Sequence, residues 1–308
     1  MERPNLLHWR YKYLHKIRKY RQEKRNIVNL INLDETWIDN DLTFKKCWQS
    51  NTVSGVISNV GSIGRVIIVH AGSVNGFVDN ACLIFKAGLA TGEYHVQMNK
   101  ENFTRWLTEK LLPNIPPNSV IIYDNAPYHS VQEDKTPTKS SLKKDIVAWL
   151  TKKGINHDAT VRKCDLFDLV LLHKPPDHEK NFVVDRIFKS HGHIPVRTPP
   201  YLCELTPLEL TWAKLKYIIR SRNTTGNFNL TALKEVTNEA MSLIYPHDWQ
   251  KFCQHVKDIE DKFWENDQKM VNLDNGKRKR KIVPMRNPNT TIKYSWRSLK
   301  SGTPMVIL

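Results

Sequence analysis

The sequence predicts a mixed α/β domain, a five-stranded sheet flanked by helices, and three observations carry the prediction. Two apolar, β-branched runs of strand length, Ile27–Leu33 and Ser119–Tyr123, run directly into aspartates, Asp34 and Asp124. A helical pattern precedes the second run, which makes that strand a parallel crossover. An amphipathic helix opens at Pro207 with Glu209 in its first turn.

The elements follow in order. Residues 7–26 interleave base with Trp9, Tyr11, Leu14 and Tyr20 and read as a basic linker helix. After the Ile27–Leu33 strand come Gly64–His70 and Ala81–Phe85, separated by turns such as Gly72–Gly76, so the first three strands form an antiparallel meander. A helix capped at Asn99 aligns Phe103, Trp106, Leu107 and Leu111 on one face, and Pro113 to Pro117 end it before the Asp124 strand. Residues 131–190 then read as a helical insertion, with segments at 141–153, 163–172 and 185–190. The fifth strand, His193–Arg197, enters Thr198-Pro199-Pro200-Tyr201, whose prolines force an extended, rigid turn. In the following helix Leu208, Trp212, Leu215 and Ile219 form the apolar stripe and Glu209 lies off it. Further helices are expected over 230–243 and 248–264, and no internal repeat is apparent. Strand, strand, strand, helix, strand, helix, strand, helix is the order of a ribonuclease-H-like fold.

The 308 residues, 40% hydrophobic, suffice for one large core with a smaller appended piece. No apolar run approaches the roughly 18 residues of a membrane span, the N-terminus is charged, and a soluble, intracellular protein is expected. Cys47, Cys82, Cys164, Cys203 and Cys253 are odd in number, scattered and never in a Cys-x-x-Cys pair, which argues against a disulfide framework or a zinc ribbon. Of the net charge of +16, residues 1–26 carry +7 and residues 274–308 carry +8. Subtraction leaves 27–273 near +1, so the basicity belongs to two terminal arms that suit a polyanion such as nucleic acid. Lys277-Arg278-Lys279-Arg280-Lys281 has the form of a nuclear localisation signal and is a candidate nucleic-acid contact. The division expected is 1–26 as linker, 27–266 as catalytic domain and 267–308 as a basic, disordered arm.

In a sheet of this order the ends of the first and fourth strands are neighbours, so Asp34 and Asp124 sit close together while Glu209 approaches from its helix. Three carboxylates held together repel one another, and divalent cations bound to their hard oxygens relieve the cost. Two Mg²⁺ or Mn²⁺ ions about 4 Å apart suit in-line phosphodiester displacement by water or a 3′-hydroxyl. Each acid also has an ordinary explanation. Asp34 and Asp124 could be strand-ending turn residues, and Thr206-Pro207-Leu208-Glu209 is a good capping box. His191 and His193 lack a third soft ligand at suitable spacing, and the nine tryptophans read as packing.

The flanking sequence decides between these readings. Asp34-Glu35-Thr36-Trp37, Val69-His70-Ala71-Gly72-Ser73 with Gly76-Phe77, Tyr94-His95 with Met98-Asn99, Phe103–Leu107, Asp124-Asn125-Ala126-Pro127-Tyr128-His129 and Pro199–Trp212 resemble blocks of the mariner-like transposase superfamily, in particular the DDE endonuclease domain of insect members. The resemblance covers roughly residues 27–265. It implies Asp34, Asp124 and Glu209 as catalytic residues and metal ligands, two Mg²⁺ or Mn²⁺ ions, DNA as substrate and partner, and a nuclear location. It leaves His129, five residues after Asp124, as a neighbour of the site with no role assigned, and leaves room for a homodimer, which nothing in the spacing demonstrates. Departures are Leu202 where the family usually has His, Thr206 where it usually has Asn, and a separation of 85 residues between Asp124 and Glu209 instead of a few dozen. Only 33 residues precede Asp34, too few for the family's paired helix-turn-helix modules. The expected activity is therefore DNA cleavage and strand transfer, with a domesticated, catalytically weak nuclear DNA-binding protein as the alternative. A ribonuclease-H-like enzyme acting on RNA–DNA hybrids has no positive feature in its favour.

Overall fold

The computed structural model describes residues 4–22, 29–44, 64–87, 98–174, 181–223 and 228–277. The chain forms two compact units, one of residues 1–125 with 192–308 and one of 126–191. Ile27, Val28, Tyr94, His95 and 278–308, which includes most of the basic run Lys277–Lys281, lie outside the described residues.

The first unit is built on a mixed six-stranded sheet. Strand β1 (Leu30–Asp39) is central: it pairs antiparallel with β2 (Arg65–Ser73) and parallel with β5 (Val120–Tyr123), and β5 pairs parallel with β6 (Ile194–Arg197). The extra strand arises because the outer partner of β2 is interrupted. β3 (Gly76–Phe77) pairs with Gly72 and Ser73, and β4 (Leu83–Ala87) pairs with Arg65–Val69. The tight turn between β2 and β3 needs Gly76 at φ +122°, a backbone conformation other residues rarely adopt.

Both sheet faces are covered, and period-2 alternation in β1 separates them. Even-numbered Ile38 clusters with Val66 and Ile68 under Leu208, Trp212, Leu215 and Ile219 of α6 (Pro207–Arg222), Leu233 and Met241 of α7 (Leu230–Ser242), and Trp249 of α8 (Pro246–Lys277). Further along the same face Leu30 clusters with Val120, Ile122 and Val196. Gly72 is the close-packing point here. A Cβ on it would meet the Trp249 ring at 2.1 Å. Odd-numbered Ile31 and Leu33 are buried as well, as are Val69, Ala71 and Ile121. Helix α2 (Lys100–Trp106) is capped by Asn99, whose side chain accepts from the Asn102 amide at 2.8 Å. Its Phe103 and Trp106, with Leu107 and Leu111 of the π-helical turn that follows, are fully buried. Trp106 Nε1 donates to the Ala81 carbonyl at 2.7 Å.

Helix α1 (Pro4–Gln22) belongs to the same packed unit, which corrects its reading as a linker. Tyr13, Leu14 and Ile17 join the Leu30 cluster, and the arginines on α1 pair with α8. Arg10 donates to Asp267 at 2.6 and 3.0 Å with both side chains buried, and stacks over Phe263 at 4.5 Å. Arg18 pairs with Asp261 and lies over Trp264, while Arg21 pairs with Glu260, which also accepts from Tyr13 at 3.2 Å. Three of the cations counted toward a polyanion-binding arm are thus committed inside the fold. Asp267 lies one residue past the boundary expected for the domain, because α8 continues helical to Lys277.

The second unit comprises α3 (Lys143–Lys152), α4 (Lys163–His173) and α5 (Val183–Ser190). Ile146, Trp149 and Leu150 pack on Leu166 and Val170, a satellite core that α3 and α4 can form by themselves. Asp134 pairs with Lys152 and Lys153, Glu133 pairs with Arg186, and an isolated bridge joins Gln132 to Phe182. Among the described residues no helix is long and apolar enough to cross a membrane.

The α1–α8 strap is testable. Asp267→Ala removes the carboxylate of a buried guanidinium and should lower the unfolding free energy by about 3–5 kcal/mol in urea titrations. The same truncation at exposed Asp258, bonded to Gln254 on α8 itself, should cost about 0.5 kcal/mol or less.

Candidate active site

The parallel register of β1 and β5 decides where two of the three predicted acids stand. The bridged pairs are Leu30↔Val120, Ile31↔Ile121 and Asn32↔Ile122. Continuing by two residues on each strand sets Asp34 opposite Asp124, on the face that carries Leu30 and Ile122. Asp34 is half-buried within β1, and Asp124 is exposed just past the end of β5.

Helix α6 crosses that face and supplies the third acid. Thr206 caps it with extended backbone, its hydroxyl accepting from the Leu208 amide at 3.4 Å, and Pro207 fills the first position. The capping box that is the ordinary alternative for Glu209 does not close, because the Thr206 amide donates instead to the Cys203 carbonyl at 3.2 Å. Glu209 faces other charges: Lys216 two turns along the helix, and Asp124. Trp212, three residues on, donates its indole N–H to Asp34 Oδ2 at 3.0 Å and so fixes one oxygen of that carboxylate.

The electrostatics record a crowd of like charges. The Asp34 carboxyl is held well above the usual carboxylate range, first by burial, then by Glu35, Glu209 and Asp124, against a lowering hydrogen bond from the Glu35 backbone. Glu209 is raised by burial and by Asp124, with Lys216 opposing. Lys216 is the cation in reach. Burial pushes its ammonium down, while Glu209, Asp34 and Asp39 push it up. It lies 5.6 Å from the Trp37 ring, as does the Arg65 guanidinium, which binds Asp39 at 2.6 Å. Sequence reading had no means to assign Lys216 a role, although its spacing of seven from Glu209 puts it on the same helix face. His70, the β2 partner of Asp34, offers no charge. Burial, aided by Lys110, pushes its imidazole down to about 3, its Nδ1 accepts from the Ala71 amide at 2.9 Å, and its ring stacks on Phe77 at 4.4 Å.

The donor set suits a hard divalent cation: oxygen ligands only, from carboxyls whose like charges repel. Among the described residues, no three His, Cys, Asp or Glu side chains converge closely enough to hold one ion. The histidines flagged in the sequence serve the fold. His193 is buried and its Nδ1 accepts from the Ser119 amide at 3.2 Å, and His191 Nδ1 lies 2.8 Å from the Ile187 carbonyl. His129 falls in the second unit, buried, its ring edge-on to Tyr128 at 4.5 Å.

No family model matches the sequence, and no curated protein matches it either. Solved structures do. The Mos1 transposase paired-end complex with the left transposon end is 11% identical with a TM-score of 0.52, and the match covers 87% of this chain and 63% of that one. The Mos1 strand transfer complex gives 10%, 0.51, 87% and 63%, and the Mos1 mariner paired-end complex with Mn gives 11%, 0.52, 87% and 64%. The fold is therefore the ribonuclease-H-like architecture found in a transposase. This chain spans less than two thirds of the length of the Mos1 chains it matches.

The raised carboxyls make a pH prediction. A group whose folded pKa is raised contributes stability that is complete below its unfolded value, about 4, and is lost as pH rises through the folded value. Asp34→Asn, which keeps an oxygen for Trp212, should therefore melt higher than the parent at pH 7 without divalent ions, by about 2–4 °C. The difference should vanish toward pH 4, and a constant difference across the range would refute the repulsion.

Proposed function

We propose that this chain is the catalytic domain of a transposase-type DNA endonuclease and strand transferase of the mariner-like kind. The observation that carries the proposal is the juxtaposition of Asp34 and Asp124 by the β1–β5 register, with Glu209 on α6 and Asp124 adding to the burial that raises Asp34. The fold shared with Mos1 transposase and the motif resemblance around these residues point the same way.

In this reading Asp34, Asp124 and Glu209 hold two Mg²⁺ or Mn²⁺ ions, which when bound supply Lewis-acid activation of a water or 3′-hydroxyl and stabilise the leaving oxygen. The chain's own residues do the positioning. Trp212 orients the Asp34 carboxylate by donating to its Oδ2. Lys216 offsets part of the negative charge and keeps it tolerable before metal and phosphate arrive. The reaction is displacement at phosphorus: the nucleophile's oxygen bonds to phosphorus as the bond to the 3′-oxygen breaks, first with water, then with the freed 3′-hydroxyl on target DNA. The substrate is DNA and the location nuclear. The run Lys277–Lys281 binds phosphate and directs import, and residues 131–190 are an insertion in the catalytic domain.

Nicking of supercoiled plasmid with Mg²⁺ or Mn²⁺ tests the reading. Asp34→Ala, Asp124→Ala and Glu209→Ala should each reduce it by at least about 10²-fold, as should EDTA, and Mn²⁺ should raise the melting temperature of the parent but not of Asp124→Ala. A parent that binds DNA without nicking it would favour the domesticated, non-catalytic alternative. Removing residues 278–308 deletes eight Lys and Arg and no acid. It should flatten the salt dependence of DNA affinity, by about 0.9 in log–log slope for each phosphate that the shortened chain no longer neutralises.

A further inference from the structure

The loop joining β6 to α6 holds a tyrosine that the fold does not need. Leu202 N–H donates to the Pro199 carbonyl at 3.4 Å, closing a turn over Pro199-Pro200-Tyr201-Leu202, with Tyr201 third at φ +65°. Proline second and a positive φ third describe a type II turn, whose third position belongs to glycine or asparagine. A side chain there costs backbone free energy that glycine would not. The tyrosine ring returns nothing to the fold, because Tyr201 is 86% exposed. Of the other exposed aromatics of this unit, Tyr11 has Trp264, Trp37 has Arg65 and Lys216, Tyr217 has Phe44 and Tyr245 has His247, while Trp9, only half as exposed, has none among the described residues. Tyr201 has none among the described residues.

The loop is held firmly, and both of its ends adjoin the candidate carboxylates. At one end the Thr198 amide donates to the Tyr123 carbonyl at 2.9 Å, and Asn125, next to Asp124, donates its side-chain amide to the Thr198 carbonyl at 2.6 Å. At the other, Leu205 is fully buried and Thr206 caps the helix that carries Glu209. Cys203 lies within the field of Glu209, which with burial raises its thiol. A solvent-facing aromatic on strained backbone is thus mounted between the segments that bear Asp124 and Glu209. Strain without structural return is characteristic of functional positions. Aromatic faces bind nucleotides through stacking, which tolerates any base.

We propose that Tyr201 is a substrate-positioning residue, a stacking face for a DNA nucleotide next to the phosphodiester that the carboxylates address. This rests on the DNA-cleaving reading above. Tyr201→Gly should relieve the turn and remove the ring together. Its melting temperature should equal or exceed the parent's, while KM for plasmid nicking rises about ten- to a hundredfold with kcat at saturation little changed. Tyr201→Phe should behave as the parent. A lower melting temperature in Tyr201→Gly would make the ring part of the fold and overturn the proposal, as would an unchanged KM. If the parent does not nick, the carboxylate reading fails separately, and affinity for DNA with a single-stranded overhang becomes the readout. Weaker binding by Tyr201→Gly, with Tyr201→Phe at parental affinity, would uphold Tyr201 as a nucleotide contact. Equal affinity in all three would overturn it.

Discussion

The parallel pairing of β1 with β5 is the constraint on which the candidate site depends. These strands are separated by more than 80 residues, yet the Asn32↔Ile122 register fixes Asp34 beside Asp124 to within a side chain's reach. Period-2 alternation means that a slip of one residue would send one acid to the opposite face, away from α6. The register is protected by the burial of Leu30, Ile31, Val120, Ile121 and Ile122, which would all be misplaced by such a slip.

Helix α6 answers two demands at once. Its stripe of Leu208, Trp212, Leu215 and Ile219 closes the core over β1 and β2, and Glu209 and Lys216 ride beside that stripe. Trp212 belongs to both sets, since its ring packs in the core while its N–H reaches Asp34. Core packing therefore sets the aim of the site, and the charge repulsion stored there is carried by the burial around it. Close approach of α8 over the same face is allowed by Gly72, which leaves room for Trp249.

The α1–α8 strap shows how charge counts mislead. Nine Lys and Arg in the first 26 residues look like a nucleic-acid arm, but Arg10, Arg18 and Arg21 are partnered by Asp267, Asp261 and Glu260 some 240 residues away. Composition adds charges along the chain, whereas a polyanion senses only those that folding leaves unpaired.

Much was legible because it is local. Strand alternation, the Asn99 and Thr206 caps, the stripe of α6 and the candidacy of the three acids are set by residues a few positions apart. The helices over 143–152, 163–173 and 230–242 lie close to their predicted places for the same reason. Strand β3 leaves no trace in the sequence pattern because it is two residues long, too short for any periodicity. The sequence by itself determined which side chains are candidates for the chemistry and which elements bear them. Only the tertiary structure decided that Glu209 faces Asp124 instead of closing its capping box, that Lys216 sits among the acids, that His70 stays neutral and that Tyr201 stands strained and uncovered. Each of these depends on desolvation and on neighbours brought together across the chain, and a linear sequence holds no record of distance between residues far apart in it.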